Sequence, residues 1–259
     1  MRFSILLAVI APILTLFVQP SWATEDGDLL AQRVYERPDG IDFVSVGEMH
    51  LISPGTKPRI RRMTTYRLDE GAGGIRSLIR FSSPADMKGV GLLTHDVSGV
   101  NKEQLVFLPD LDRARRIASS RKGGRFVGSD IFFEDLRDRP PNLDKHAIVK
   151  AMPIGSCDCI VLESIPLRAQ STVYSKRLSW IDPDTLLAMK IEFYRSGDED
   201  PIKSFKVLSK KKIEGYWTVT HSVMTDLISQ HSTEIRLESI DYDMGLSRDR
   251  FSRRSLEEL

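Results

Sequence analysis

The sequence predicts a mainly β protein, a curved, incompletely closed antiparallel β-barrel with a few helices. Three observations carry that prediction. Beyond residue 40 apolar and polar residues alternate with a period of two, run after run. Short polar turns separate the runs, so successive strands pair antiparallel, and a large sheet of this kind must curl to bury one face. No strand–helix–strand rhythm interrupts them, which argues against a doubly wound nucleotide-binding fold.

The N-terminus stands apart. In "MRFSILLAVIAPILTLFVQPSWA" one positive charge, Arg2, precedes an apolar run from Ile5 to Val18 and a small-residue end at Ser21 and Ala23. This is the pattern of a secretory signal peptide over 1–23, with cleavage after Ala23 and a mature domain over 24–259. A retained anchor is the competing reading, but the run is shorter than the roughly 20 residues of a membrane span and Pro12 interrupts it. The chain carries 37 basic and 36 acidic residues; removal of Arg2 balances them. No global field therefore selects a partner, and charge must act through local patches.

The elements follow in order. "DGDLLAQRVYER" reads as a short helix with Leu29, Leu30, Arg33 and Val34 on one face. In "IDFVSVGEMHLIS" Phe43, Met49 and Leu51 share one parity and Glu48 and His50 take the other, as a strand with one wet face would. "PRIRRMTTYRLDE" sets Ile60, Tyr66 and Leu68 against Arg61, Met63 and Arg67. "GIRSLIRFSSP" sets Ile75, Ile79 and Phe81 against Arg76 and Arg80 until Pro84 ends it. "ADMKGVGLL" reads as a short helical or irregular connection. "STVYSKRLSWIDPDTLLAMKIEFY" is a β-hairpin turning at Asp182, Pro183 and Asp184, with Leu187, Met189, Ile191 and Phe193 on one face of its second arm. A further pair turns at Glu214 and Gly215, and "HSTEIRLESIDYDM" supplies another strand. The tail reads as a helical turn or two capped by Ser247 or Asp249.

Chemistry is sparse. His50, His95, His146, His221 and His231 lack metal-ligand spacing, and two cysteines, Cys157 and Cys159, cannot close a zinc site alone. In an extended strand those two thiols stand near the upper separation for a bridge, so they read as small strand residues. "VGSD" around Ser129 lacks the features of a nucleophile elbow. "RKGGRFVGSD" matches neither phosphate-loop pattern, and its glycines suit a mobile loop. Asp182 and Asp184 are accounted for by their turn, and adjacent acids such as Glu134 and Asp135 point apart on a strand. No catalytic residue, metal or cofactor is expected. Arg113, Arg115, Arg116, Arg121, Lys122 and Arg125 could in principle contact phosphates, but export, interspersed acids and the absence of a stacking platform argue against nucleic acid. Alternating "RARRI" also suits an edge strand whose charges discourage aggregation.

The stretch "FLPDLDRARRIASSRKGGRFVGSDIFFEDL" resembles the central motif of the outer-membrane lipoprotein-sorting proteins of Gram-negative bacteria. These are the LolA/LolB-like carriers, and the likeness is to the divergent branch associated with RND-type exporters. The resemblance rests on Leu108 and Pro109, then Arg115, Arg116 and Ile117, then Phe126, Gly128, Ser129 and Asp130, then Phe132, Glu134, Asp135 and Leu136. "FSSPADMKGVGLL" and the "WIDPDTLLAMKIEFY" hairpin also look like family segments. The resemblance implies an open, strongly curved antiparallel sheet with helices across its mouth and an apolar cavity for acyl chains. It implies a periplasmic, non-enzymatic carrier of lipoproteins or other lipids, in transient contact with membranes. The implied partners are an inner-membrane exporter and an outer-membrane acceptor. The fold also serves as an interaction or sensor module, docking on an exporter or an envelope-stress regulator. Phe126, Ile131, Phe132, Phe133 and Leu136 are then the candidate lipid-binding or gating side chains, and Arg113, Arg115 and Arg116 the candidate partner contacts.

Overall fold

The computed structural model describes residues 26–71, 74–96, 103–155 and 157–258; the expected signal peptide over 1–23 lies outside them. Helix α1, Gly27–Tyr35, leads into strands β1 (Asp42–Ile52), β2 (Arg59–Asp69), β3 (Ile75–Ser83), β4 (Gly91–Asp96), β5 (Glu103–Leu108) and β6 (Arg113–Arg116). After a crossing segment come β7 (Asp144–Ile154), β8 (Cys157–Pro166), β9 (Lys176–Ile181), β10 (Ala188–Tyr194), β11 (Lys203–Ile213), β12 (Tyr216–Asp226) and β13 (Ser232–Tyr242), then α2, Arg253–Glu257.

All 13 strands join one antiparallel sheet in the order β6-β5-β4-β3-β2-β1-β13-β12-β11-β10-β9-β8-β7. Two meanders thus meet at the β1–β13 seam, and β6 and β7 remain as open edges. Laid flat, twelve inter-strand steps would span about 58 Å. Yet the segment joining the two edges touches β3 through Phe81, β13 through Thr233 and β11 through Lys203. Only a strongly curled sheet brings those strands to one short segment.

The wing from β1 to β6 is packed on both faces. Inside lie Met49, Leu51, Met63, Ile79, Phe81, Leu92 and Phe126. Outside, Leu68, Leu78, Leu93, Phe107 and Ala114 pack on Phe251 and Leu256 of the C-terminal tail. The tail is held there by Arg80, which donates to the carbonyls of Ser255, Leu256 and Glu258. It consists of a short 3-10 turn capped by Ser247 and the helix α2, capped by Ser252, whose hydroxyl accepts from Ser255 N. Of the two α-helices among the described residues, only α1 lies on the inner face, against Ile160, Leu162 and Ile181. Each open edge meets a carboxylate: Asp28 accepts from His146 N on β7, and Glu257 from Ala114 N on β6.

Several local expectations need correction. Leu29 is 56% exposed, and α1 instead buries Leu30 and Ala31 and packs Val34. The reason is Gly27, whose missing side chain lets the helix sit on the Ala147 backbone, 2.7 Å from where a Cβ would stand. That contact turns the 27, 30, 31, 34 stripe inward. Ile60 is exposed and Arg61 and Met63 are buried. His50 is buried rather than wet, with Nε2 2.7 Å from Glu48 Oε2. "ADMKGVGLL" divides into a turn and strand β4, because the outer tail gives Leu93 a partner on the face opposite Leu92. A bulge between Ala188 and Lys190 moves Met189 away from Ile191 and Phe193 to a cluster with Val161 and Trp180. Cys157 and Cys159 are joined by a disulfide. Their Cα atoms lie 5.2 Å apart, closer than the roughly 6.7 Å of two fully extended residues, so the chain contracts at Asp158.

Candidate functional site

The segment between β6 and β7 crosses the inside of the sheet in short 3-10 turns, among them Ser119–Arg121, Phe126–Gly128, Phe133–Leu136 and Pro141–Leu143. Its sequence forbids longer helices: glycines occupy 123, 124 and 128, and prolines occupy 140 and 141. The glycines at 123 and 124 serve close approach. A Cβ on Gly123 would stand 3.0 Å from Val173 Cγ1, and one on Gly124 3.0 Å from the Arg121 carbonyl.

Polar groups fasten the segment to separated strands. Asp130 is fully buried and accepts from Arg125 Nη1 at 2.7 Å and Thr233 Oγ1 at 2.7 Å, with His231 Nδ1 at 2.5 Å. Its backbone N–H donates to Thr233 Oγ1 at 2.9 Å. Glu134 accepts from Thr172 Oγ1 and from Val173 N. Asp135 accepts from Tyr174 Oη at 2.7 Å, from Phe132 N at 2.7 Å and from Lys203 Nζ at 2.5 Å. Arg137 donates to Asp96 on β4. The three acids of the motif are therefore fasteners of a lid.

Lys203 is 2% exposed, and its ammonium stands 3.6 Å from the Phe132 ring centre and 5.0 Å from those of Tyr174 and Phe193. Burial lowers its pKa, against the opposing pull of Asp135. Burial also raises the pKa of the Tyr174 phenol, and Asp135 adds to the rise.

Between lid and sheet lies a cavity of about 390 Å³. Ile131 and Leu136 face it from the lid, and Ile191, Phe193, Phe205, Met224 and Ile235 from the sheet. At the β8–β9 end the wall becomes polar, with Arg139, Ser164, Arg177 and Ser179. Arg139 and Arg177 both donate to the buried Asp144. Burial alone would raise the Asp144 pKa, but the Arg139 hydrogen bond and both guanidinium charges outweigh it and hold the carboxyl below its ordinary value.

The five candidate lipid-binding or gating residues thus divide. Ile131 and Leu136 line the cavity. Phe126 is 0% exposed and sits in the inner cluster against Phe81, with Phe133 edge-on to it at 5.9 Å. Phe132 stacks parallel to Tyr174 beneath the Lys203 ammonium. Arg113, Arg115 and Arg116 lie exposed on β6, the sheet's terminal strand, away from that cavity. The sheet residues of the cavity were not singled out as a site from sequence, although Ile191 and Phe193 already stood on one face of the predicted hairpin. A second, mostly polar cavity of about 230 Å³ lies beside Arg116, Lys122 and Arg137. Among the described residues there is no metal-ligating cluster, and no helix is long and apolar enough to cross a membrane.

Known proteins share this architecture. An outer membrane lipoprotein-sorting protein domain from Vibrio parahaemolyticus is 27% identical over 90% of this chain and 98% of its own, with a TM-score of 0.83. A DUF1329 family protein from Desulfovibrio piger is 28% identical over 89% of this chain and 97% of its own, with a TM-score of 0.84. A LolA superfamily protein from Nitrosomonas europaea, 18% identical over 90% of this chain and 100% of its own, shares the fold with a TM-score of 0.70. No curated protein matches. A protein-family model described as "Uncharacterized protein" matches residues 73–258, and the chain belongs to that family.

Proposed function

We propose that this protein is a periplasmic carrier that shields acyl chains of a lipoprotein or another lipid in an apolar cavity during transfer between envelope membranes. One observation carries the reading: a cavity of about 390 Å³ between lid and sheet, walled by Ile131, Leu136, Ile191, Phe193, Phe205, Met224 and Ile235. Burial of each methylene there is worth about 0.8 kcal/mol, so a chain of modest length is held without any covalent chemistry. The reading requires no catalytic group and no cofactor. It takes residues 1–23 as the export signal and 24–259 as one carrier domain. An inner-membrane exporter as donor and an outer-membrane acceptor complete the path. The likeness to a lipoprotein-sorting protein domain supports it.

The test is direct. Mature protein purified from the periplasm is extracted with organic solvent and the extract examined by mass spectrometry, in parallel with uptake of a fluorescent fatty acid. Co-purified lipid or saturable uptake is expected; an empty extract together with no uptake would falsify the carrier reading.

A second reading, a module docking on an RND-type exporter or an envelope-stress regulator, is favoured by the exposed Arg113, Arg115 and Arg116 on an open edge. Replacing Arg115 and Arg116 by Glu is expected to abolish crosslinking to a co-expressed exporter and leave lipid uptake intact. Crosslinking that survives the change removes that reading.

A further inference from the structure

The cavity is not uniform, and its polarity follows strand order. Moving from β13 to β10 its wall is Ile235, Met224, Phe205, Ile191 and Phe193, with Thr233 and Ser222 as small interruptions. Moving on to β9 and β8 it becomes Ser179, Arg177 and Ser164, and the lid adds Arg137 and Arg139 together with the acids Glu134 and Asp135, the latter paired with Lys203. Five inter-strand steps separate the two ends, about 24 Å along the sheet.

Hydrogen-bonding capacity at the polar end is lopsided. Both oxygens of Asp144 are occupied by Arg139 and Arg177. Both oxygens of Glu134 are occupied by Thr172 and Val173. Arg177, by contrast, spends only Nη2 on Asp144, and its Nε and Nη1 meet no acceptor among the described residues. The Ser179 hydroxyl is likewise unengaged. Arg177 thus keeps Nε and Nη1 without an acceptor, and a guanidinium edge of that kind is matched best by a carboxylate or a phosphate.

Resting on the carrier reading above, we propose that the cavity takes an anionic amphiphile of one acyl chain. Its carboxylate or phosphate head sits at Arg177 and Ser179, and its chain lies along Ile191, Phe205, Met224 and Ile235. Size agrees with a single chain, because about 390 Å³ lies toward the small end of the roughly 300–1,000 Å³ of ligand pockets.

The experiment uses the mature protein and two probes with one chain, cis-parinaric acid and its methyl ester, followed by fluorescence titration. The acid is expected to bind about tenfold more tightly than the ester, a difference of about 1.4 kcal/mol. Arg177→Gln is expected to erase that preference by weakening the acid alone. Because Arg177 also holds Asp144, Ser179→Asp serves as the second variant. It breaks no hydrogen bond of the fold, and its added charge should repel the acid and spare the ester. Lysophosphatidic acid should displace the acid, whereas inorganic phosphate at equal concentration should not. Equal affinity for acid and ester, or a preference that survives Ser179→Asp, overturns the head-group assignment and leaves the carrier reading standing. Displacement by inorganic phosphate overturns it in favour of a small-anion site. Failure of both probes to bind overturns the carrier reading itself.

Discussion

The two wings of the sheet handle the same problem differently. From β1 to β6 both faces are filled, by the lid's Phe126 within and by Phe251 and Leu256 without. From β8 to β13 the inner face is filled only in part, by α1 over Ile160, Leu162 and Ile181 and by Phe132 and Tyr174 against Phe193, and beneath the rest of the lid the cavity remains. Packed side chains fix a shape, while an unfilled apolar wall is the part that can take up something else. The lid joins both wings and is itself asymmetric: Phe126 is core on one side, whereas Ile131 and Leu136 are lining on the other.

Mutations should separate the wings. Phe126→Ala removes a fully buried ring from the filled side and is expected to cost about 3–5 kcal/mol in urea unfolding. A cost below about 1 kcal/mol would place Phe126 outside the core. Lys203→Ala leaves the Asp135 carboxylate without its buried partner and is expected to cost about 3 kcal/mol, loosening the lid, as hydrogen exchange at residues 130–136 would register. Met224→Ala trims the unfilled wall. Its thermal stability should fall by less than the 2–5 kcal/mol of a core Met→Ala change, while uptake of a fluorescent fatty acid drops several-fold. Exchange of Arg115 and Arg116 for Glu, on the exposed edge, should move stability by no more than about 0.5 kcal/mol.

A pH experiment sharpens the comparison at the polar end of the cavity. The Asp144 carboxyl has a folded pKa below its unfolded value, so its stabilising contribution is complete above the ordinary aspartate pKa of about 3.9 and fades as pH falls through the folded value. Asp144→Asn should therefore be less stable than wild type at pH 7, and the gap should narrow at pH 3. A gap that stays constant would mean that Arg139 and Arg177 do not depend on the Asp144 charge.

Sequence pattern reached the filled and the open parts of the fold unequally. The hairpin at Asp182–Pro183–Asp184 and the tight turn at Glu214–Gly215 were legible because their geometry is written in adjacent residues; Glu214 and Gly215 both adopt positive φ. The edge strand Arg113–Arg116 was legible from its alternation. Strands β4, β5 and β7 were not identified. In β5 the buried residues, Gln104 and Phe107, fall on opposite parities. In β4 both Leu92 and Leu93 are buried, which erases the alternation, and β7 is partly exposed on both parities. The lid's fastening was out of reach for another reason. Glu134 and Asp135, expected to point apart on a strand, lie in a 3-10 turn, and the partners of Asp130, Glu134 and Asp135, namely Thr233, Thr172 and Lys203, lie far along the chain. Local periodicity carries no information about such pairs.

The fastening has a kinetic consequence. The lid is tied to β13 at Asp130, to the 172–174 stretch at Glu134, to β11 at Asp135 and to β4 at Arg137. A segment held at four separated points cannot swing about one hinge, so lifting it means releasing several charged contacts together. That belongs to local unfolding, on the microsecond-to-second scale, rather than to nanosecond loop motion. Cargo that needs the lid raised would then exchange in rare, cooperative openings, with a residence time set by the fastenings as much as by the grip of the cavity wall.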